Sequence, residues 1–492
     1  MDNNQFYVPC LEWEATVFPL EITNIQFEKI EYGIPATAII RIDRDNDYKL
    51  CGKIETFLSQ PMDVEEDIFV GKGNIIKQDT VTGNDKNGNT ITLSGCILGN
   101  LHSNSWERQG DAYGFDIDIH FDALHISFIE SNGLADKTRL EWFVCPQIPD
   151  HFDETTYRNL NCLIKRQRVG IDENDKAAGF YSGSSSSRDH IQVNLPEVKV
   201  IIAKVPKVFL AEGMQGICFE FRSVEIGEAY NQLVRKLKHF ISFILGNKLT
   251  HVGYSEISGE VLTQAFFHNV SRLYQEENKS AMPPVKFNRK YEWGNFSWLT
   301  NQLLPTYLKL AEILALNQVL SRYWIAKRLP VGVNLPLLAN ALEILAGKYL
   351  KHTGKFKMEN MPSKQYLDLI KEELEKLEKK LSGLECGNVM LNKIKGANQK
   401  VPSEKINFFF CLLGLDIGDN EKAAINLRNK MAHSSRDYKD DETAYDDLIL
   451  TRTYEVLFNR VILKLLGYKD YYIDYTITGC PSRQVNESSG KE

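Results

Sequence analysis

"EAYNQLVRKLKHFISFIL", residues 228–245, decides the fold, because the period of the chain changes there. Tyr230, Leu233, Val234, Leu237, Ile241 and Ile244 recur at three and four, which gathers them on one face of a helix. Upstream the period is two. "ATAIIRI" (36–42), "NTITLSG" (89–95), "FDIDIHFDALHISFI" (115–129), "VKVIIAKV" (198–205) and "GICFEFRSVEI" (216–226) are rich in Ile, Val, Phe and Thr. Gly, Asn and Asp turns such as "GNDKNGN" (83–89) separate them. Residues 1–225 therefore read as a β-rich domain, with "YSGSSSSRDH" (181–190) as a mobile loop tip by composition. Residues 226–294 read as a mixed helical connecting region that ends in "MPPVKFNRKYEW" (282–293), a link between domains.

From 295 to 470 the helical period dominates. "NFSWLTNQLLPTYLKLAEILALNQVLSRYWIAKRL" (295–329) reads as one long helix, bent or interrupted at Pro305 and closed by Pro330. "LPLLANALEILAGKYLKHTG" (335–354) is a second, with Gly354 as its C-cap. In "SKQYLDLIKEELEKLEKKLSGLE" (363–385), Leu367, Ile370, Leu374, Leu377, Leu381 and Leu384 alternate by three and four, a seam for packing against another helix. "SEKINFFFCLLGLD" (403–416), "EKAAINLRNKMAHSS" (421–435) and "ETAYDDLILTRTYEVLFNRVILKLLGY" (442–468) complete a bundle of about five or six helices. Residues 471–492 read as a C-terminal tail. The expected class is an α+β multidomain protein, β-rich first and all-α afterwards.

Composition excludes several functions. A chain of 492 residues with 43% hydrophobic and 25% charged residues is long enough for several cores and is not disordered by composition. No apolar run reaches the ~18–20 residues of a membrane span, and "MDNNQFYVPCLEWEA" (1–15) lacks the basic start and apolar core of a signal peptide. A cytoplasmic protein without membrane contact is expected. The 9 cysteines are scattered and form no C-x-x-C pair, so they read as reduced, mostly buried thiols. A net charge of −7 leaves nucleic-acid contact to local basic patches.

One cluster has chemistry. In "LRNKMAHSS" (427–435), Arg428, Asn429 and His433 end a helical stretch, just before a polar run that reads as a loop. At ~100° per residue Asn429 and His433 project from nearly one face, one turn apart. Arg428 lies about 140° from His433 and can converge on it if the helix unwinds near Ala432. A cation, an amide and an imidazole suit RNA cleavage without a metal, in which the ribose 2′-OH attacks the adjacent phosphate. Histidine can move the proton near neutral pH, and a guanidinium matches phosphate oxygens in charge and shape. The Arg-Asn-x-x-x-His pattern is expected by chance about 0.02 times in this composition. On spacing alone, a surface ion pair for Arg428 and a helix-terminal cap for His433 account for the same residues.

The motif, with a long closing helix after it in a bundle of this size, resembles the HEPN superfamily, whose active ribonucleases carry an R-N-x-x-x-H signature. The similarity covers about residues 295–470, and the hexad is its sharp part. A β-rich N-terminal region joined to such a domain resembles the ApeA type of bacterial anti-phage, abortive-infection protein, on overall layout. The resemblance implies Arg428 and His433 as the catalytic pair and Asn429 as the polar second position. It also implies a homodimer or higher homo-oligomer in which two motifs face one RNA cleft, no cofactor, tRNA as the RNA class, and a phage-encoded trigger. The β-rich half would then be a sensor or regulator. Glu343, on an earlier helix, could orient Arg428, although a surface or structural role is the simpler reading.

Other clusters have plain readings. Asp116, Asp118, His120 and Asp122 share one strand face and could hold a divalent metal, but an amphipathic strand with its polar face in water gives the same alternation. "KFNRK" (286–290), "KRQR" (165–168) and "NKIKGANQK" (392–400) could touch phosphates. Lys393, Lys395 and Lys400 are favoured as RNA-binding residues because they read as a loop within the helical half. "GKGN" (71–74) lacks the rest of a phosphate-binding fingerprint. The alternatives to a ribonuclease are a non-catalytic sensor that uses the bundle to dimerise, and a metal-dependent hydrolase at the Asp116–Asp122 face.

Overall fold

A computed structural model of the chain describes residues 18–28, 37–44, 49–58, 79–109, 112–145, 148, 152, 154–158, 166–168, 185–196, 198–205, 215–222, 225–267, 282–287, 295–330, 333–357, 359–431 and 441–490. They form two compact units: the first ends at Asn301, and the second runs from Gln302 and also includes Pro284–Lys286. Among the described residues no helix is long and apolar enough to cross a membrane.

The first unit contains strands β1 (Leu20–Phe27), β2 (Ile39–Arg44), β3 (Leu50–Leu58), β4 (Asp79–Asn84), β5 (Thr90–Gln109), β6 (Ala112–His120) and β7 (Ala123–Cys145). After them come β8 (Glu154–Arg158), β9 (Arg166–Arg168), β10 (Ser185–Asn194), β11 (Lys199–Val205), β12 (Gln215–Arg222), helix α1 (Glu228–Leu245) and β13 (Thr250–Phe267). β4, β1, β2, β3, β6 and β5 pair antiparallel in that order, and β5 pairs back to β4, so the ladder closes into a barrel. Closure removes the exposed strand edges that would otherwise invite aggregation. The period-two pattern now has a physical destination. Ile22, Ile40, Ile42, Ile54, Val81, Leu93, Ile117 and Ile119 fill the barrel interior. Gly83 permits a close approach of β4 to β1, since a Cβ there would lie 2.4 Å from Ile22 Cγ2 and 2.7 Å from the Thr23 carbonyl oxygen.

β5 pairs β6 through its C-terminal part and β7 through Thr90–Ser94, so β6 and β7 run as one path with a break at residues 121–122. Beyond the barrel, Thr138–Cys145 of β7 pairs β12, which continues through β11, β10 and β8 to β9. β13 runs along the other edge of β7, with register shifts around Gly253 and Gly259. The sheet thus extends past residue 225, because Thr250–Phe267 belongs to it. α1 forms where the period changes and buries Tyr230, Val234, Leu237, Phe240, Ile241 and Ile244. It ends at Gly246, whose φ of 68° is left-handed and where a Cβ would lie 2.0 Å from the Met282 carbonyl carbon.

Two further expectations change. Ser185–His190 of the serine-rich stretch belongs to strand β10, paired with β8 and β11, while residues 181–184 lie outside the described residues. The buried alternation of Ile191 and Val193, and the ladder on both edges, outweigh the turn-like composition. The cysteines are less buried than expected. Cys96, Cys145 and Cys218 are buried in this sheet, but Cys51, Cys386, Cys411 and Cys480 are exposed, and all seven are free thiols.

The second unit takes in the end of α2 (Phe296–Leu310), then α3 (Leu316–Ala326), α4 (Asn334–Thr353), α5 (Ser363–Leu381), α6 (Gly387–Lys395), α7 (Pro402–Leu413), α8 (Asp419–Met431) and α9 (Asp441–Leu465). A short hairpin of β14 (Tyr471–Ile473) and β15 (Ser482–Gln484) follows. The helices outnumber the expected five or six for two reasons. Pro305 sits inside α2 without ending it, and the break comes at residues 311–315, where Ala315 has φ 53°. α6 also forms where a loop was expected. α4 is central: Leu335, Leu338, Leu342, Leu345 and Ala346 are buried, and α3, α7, α8 and α9 pack around it. Tyr323 of α3 stacks on Phe458 of α9 with ring centres 4.8 Å apart. Gly354 caps α4 with φ 63°, as its position predicts.

Residues 471–490 are integral to this unit. Arg460 of α9 is fully buried and ion-paired with Glu421 of α8. Its other donors reach the carbonyls of Val485 (3.1 Å), Asp416 (3.0 Å) and Asn486 (2.9 Å). Glu421 also accepts from the Ser489 hydroxyl at 3.0 Å. A buried guanidinium with each face satisfied ties the tail to two helices.

Candidate functional site

α8 forms because Asp419 and Glu421 sit in its first turn, where the helix dipole favours negative charge, and because Glu421, Ala424 and Leu427 turn inward at intervals of three. That inward face meets α4 and α9. Arg428 follows Leu427 on the flank of the face, at the boundary between core and solvent. Its guanidinium is ion-paired with Glu343 of α4, with side-chain exposures of 24% and 32%. This is the ion pair that the simpler, structural reading of both residues expects, and it also fixes where the guanidinium sits. Both groups keep contact with water, so the pair directs the guanidinium without stranding a charge. Tyr454 of α9 is buried close by; burial pushes its hydroxyl pKa up, and the positive charge of Arg428 pulls it partly back.

α8 ends at Met431. The backbone of Asn429 is helical, whereas its side chain, His433 and the remainder of residues 432–440 lie outside the described residues. The structure brings Arg428, Glu343 and Tyr454 together on three helices. The expected one-turn spacing of Asn429 and His433 concerns atoms outside that description.

The remaining candidates are placed more simply. In "DIDIHFD", Ile117, Ile119 and Phe121 are buried, Asp116 and Asp118 are half-buried, and His120 and Asp122 are exposed, which is an amphipathic barrel strand. Among the described residues no group of three or more His, Cys, Asp and Glu side chains is gathered to hold a metal. Lys393 and Lys395 are on α6, not in a loop, because Leu391 and Ile394 give the stretch a helical face that ends at Gly396. Lys395 is ion-paired with Glu378 at 3.2 Å, and the Lys400 ammonium lies 4.7 Å from the Phe356 ring centre. Of the other basic stretches, Arg166–Arg168 is strand β9 and residues 288–290 lie outside the described residues.

Sequence reading missed a second charged centre, in the first unit. Glu141 on β7 is 2% exposed and accepts hydrogen bonds from Arg139 Nε (2.9 Å) and the Tyr230 hydroxyl (2.7 Å), with His251 Nε2 of β13 also at 2.7 Å. Arg139 continues to Glu256 at 2.7 Å, with its guanidinium 3.1 Å from the Tyr254 ring centre. The available signal was Arg139 and Glu141 two apart in "TRLEWFVC", on one face of an otherwise apolar strand. Burial alone would raise the Glu141 pKa, but the hydrogen bond and charge of His251, the charge of Arg139 and the Tyr230 hydroxyl bring it from 4.5 down to about 2. On α1, burial and the positive charges of Lys238, Lys248 and Arg235 lower His239 from 6.5 to about 3.

Both shifts predict acid sensitivity, and the sign follows from where the proton goes. The contribution of Glu141 is complete above 4.5 and lost as pH falls toward 2. His239 resists protonation in the fold, so below 6.5 the unfolded chain takes up a proton that the folded chain refuses, and stability falls toward pH 3. Thermal melts should therefore show the melting temperature falling from about pH 6.5 toward pH 3 through His239, and more steeply below pH 4.5, where Glu141 adds its loss. Glu141→Gln should cost about 3 kcal/mol at neutral pH, by leaving Arg139 and His251 short of a buried acceptor. A melting temperature that is flat over this range, or unchanged in Glu141→Gln, contradicts the assignment.

Compared with known proteins, the chain matches no family model, no curated protein and no solved structure.

Proposed function

We propose that the chain is a metal-independent endoribonuclease of the HEPN type, acting in anti-phage defence by abortive infection and cutting cellular RNA, with tRNA as the substrate class. The observation that carries this reading is the R-N-x-x-x-H hexad of residues 428–433, which begins on α8 and whose Arg428 is ion-paired with Glu343 at the edge of the α4, α8 and α9 packing. In the reaction His433 takes the proton of a ribose 2′-OH as its oxygen bonds to the adjacent phosphorus. The bond from phosphorus to the 5′-oxygen breaks, and that oxygen leaves with a proton delivered by a general acid. Arg428 donates to the phosphoryl oxygens as negative charge gathers on them, an interaction strongest in the transition state. Asn429 positions one of these partners. Two chains pair so that their motifs share one RNA cleft.

A ribonuclease that is always active would harm its own cell. In this reading the β-rich unit senses a phage-encoded trigger and controls how two motifs converge, since a displacement of about 1 Å between catalytic groups costs roughly a hundredfold in rate. Such a switch needs the trigger to bind the active arrangement more tightly than the resting one.

The test is cleavage by purified protein of total tRNA in EDTA, with the ends of the products identified. The expected products carry 2′,3′-cyclic phosphate and 5′-hydroxyl ends, and activity is unchanged by the chelator. A 5′-phosphate, or activity that disappears with EDTA, indicates a metal-activated water as nucleophile and overturns the mechanism.

A further inference from the structure

We propose that Arg235, Lys238 and His239 of α1, with Lys248 just beyond the helix, form a binding site for the compact phosphate group of a small molecule, a phosphomonoester or a diphosphate. This does not rest on the ribonuclease reading. Between Glu228 and Glu256 the chain has no Asp or Glu, although Arg235, Lys236, Lys238, His239, Lys248 and His251 all lie there. At ~100° per residue, Lys238, His239 and Ser242 fall within about 60° of Arg235, on the side of α1 opposite buried Leu237, Ile241 and Ile244. The chain after the helix folds back onto that side. The buried Ser242 hydroxyl donates to the Lys238 carbonyl at 2.6 Å and accepts from the Leu249 amide at 3.0 Å, which carries Lys248 alongside. Lys238, His239 and Lys248 are half-buried, and Arg235 is exposed at the rim.

The charges that bear on Lys238 and His239 are all positive. Burial and Arg235 lower the Lys238 pKa, while burial with Lys238, Lys248 and Arg235 holds His239 down to about 3. Two plainer accounts of the cluster fail. A helix C-terminus attracts cations, but none of Arg235, Lys238 and His239 is in the last turn of α1. A solvated basic face keeps its charged heads in water, whereas here burial acts on both groups. Glu228, the one carboxylate of α1, is two turns before Arg235 and is held by the Gln232 amide at 2.6 Å. Like charges drawn together out of water destabilise the fold, and an anion seated among them relieves that cost. The arrangement also selects the anion. Arg235 to His239 spans roughly 6 Å of helix axis, and His239, uncharged at neutral pH, supplies a ring N–H without adding to the repulsion. A terminal phosphate or diphosphate concentrates two or three negative charges within such a span and accepts in several directions. A nucleic-acid strand instead spreads single charges along its length.

The experiment is isothermal titration calorimetry of the full chain with inorganic pyrophosphate at pH 7, in magnesium-free buffer of low ionic strength, for wild type, Arg235→Gln, Lys238→Gln and the double variant. Each single variant should weaken binding about tenfold, the scale of one charge-assisted contact, and the double variant about a hundredfold. Without ligand, Lys238→Gln should melt at or above the wild-type temperature, because a half-buried like charge is gone; a lower melting temperature shows that the lysine is paired and overturns the proposal. Nuclear magnetic resonance of the His239 ring gives a second readout. Saturating pyrophosphate should raise the pH at which this ring protonates, since a nearby anion favours the imidazolium, and should not do so in the double variant. A third titration uses a single-stranded oligodeoxyribonucleotide with hydroxyl groups at both ends, whose binding should not respond to the double variant. Absence of pyrophosphate binding, or binding indifferent to all the variants, overturns the proposal. An oligonucleotide that loses affinity in the double variant as pyrophosphate does assigns the face to a nucleic-acid strand and overturns it as well. The motif helix is untouched in every variant, so none of these results bears on cleavage.

Discussion

Arg428→Ala is expected to lower RNA cleavage by about a hundredfold or more, the usual cost of removing a donor aimed at charge that develops in the transition state. His433→Ala should lose at least as much, because no other group in the hexad can move a proton near neutral pH. Asn429→Ala should be milder. Arg428→Lys should also fail, since a point charge does not replace a planar two-pronged phosphate contact. Stability should change by less than about 1 kcal/mol in the Arg428 variants, because Glu343, its partner, is one-third exposed and water can take over the charge. Glu343→Gln should leave the fold intact and reduce cleavage by roughly tenfold, through a guanidinium no longer held in one orientation. If Arg428→Ala instead lowers the melting temperature of the second unit strongly, the arginine is a structural ion pair and the catalytic role is wrong.

The largest expected effect on stability lies elsewhere in the same unit. Arg460→Met removes a buried cation and leaves Glu421, itself 0% exposed, without its counter-charge. Breaking a buried pair from one side costs about 3–5 kcal/mol. In a domain of this size that lowers the melting temperature by roughly 6–20 °C. The C-terminal residues should loosen with it, because Val485, Asn486 and Ser489 are held by the same two side chains. Lys464→Ala is the control. Its ammonium donates to Asn486 at 2.7 Å on the exposed side, and its loss should shift stability by less than about 0.5 kcal/mol. Arg460→Met melting within ~2 °C of wild type, well below the scale of a broken buried pair, would mean that the tail is not anchored as described.

The same residues show what could be read from the chain before its fold. Where one face is buried and the period is clean, as in α1, α4 and the barrel strands, side-chain pattern and structure coincide, and Gly354 and Gly246 mark helix ends by the backbone conformation they permit. β13 was harder to see, because its glycines and serines interrupt the pattern and its register shifts accompany them. α6 is only nine residues long and rich in lysine and asparagine, and it forms by packing on α5. Arg460 interrupts the apolar run "VLFNRVILKLLGY", which marks it as a cation with buried partners, yet nothing local names Glu421, 39 residues earlier. The ion pair of Glu343 with Arg428 was visible as a possibility of charge and missing only in space, since their helices meet through a separation of 85 residues. The Glu141 centre was hidden because its members come from β7, α1 and β13, and only Arg139 and Glu141 are close in sequence.

The most direct test of the central claim is made on the substrate. An RNA cut by the wild-type protein is resynthesised with a single 2′-deoxy nucleotide immediately 5′ to the mapped scissile phosphate, and the two substrates are compared in EDTA with equal protein. If the adjacent 2′-OH is the nucleophile that His433 activates and Arg428 assists, the deoxy substrate is bound but not cut at that position, while the all-ribose RNA is cleaved. Cleavage of the deoxy substrate at the same phosphate, at a comparable rate, would contradict the account.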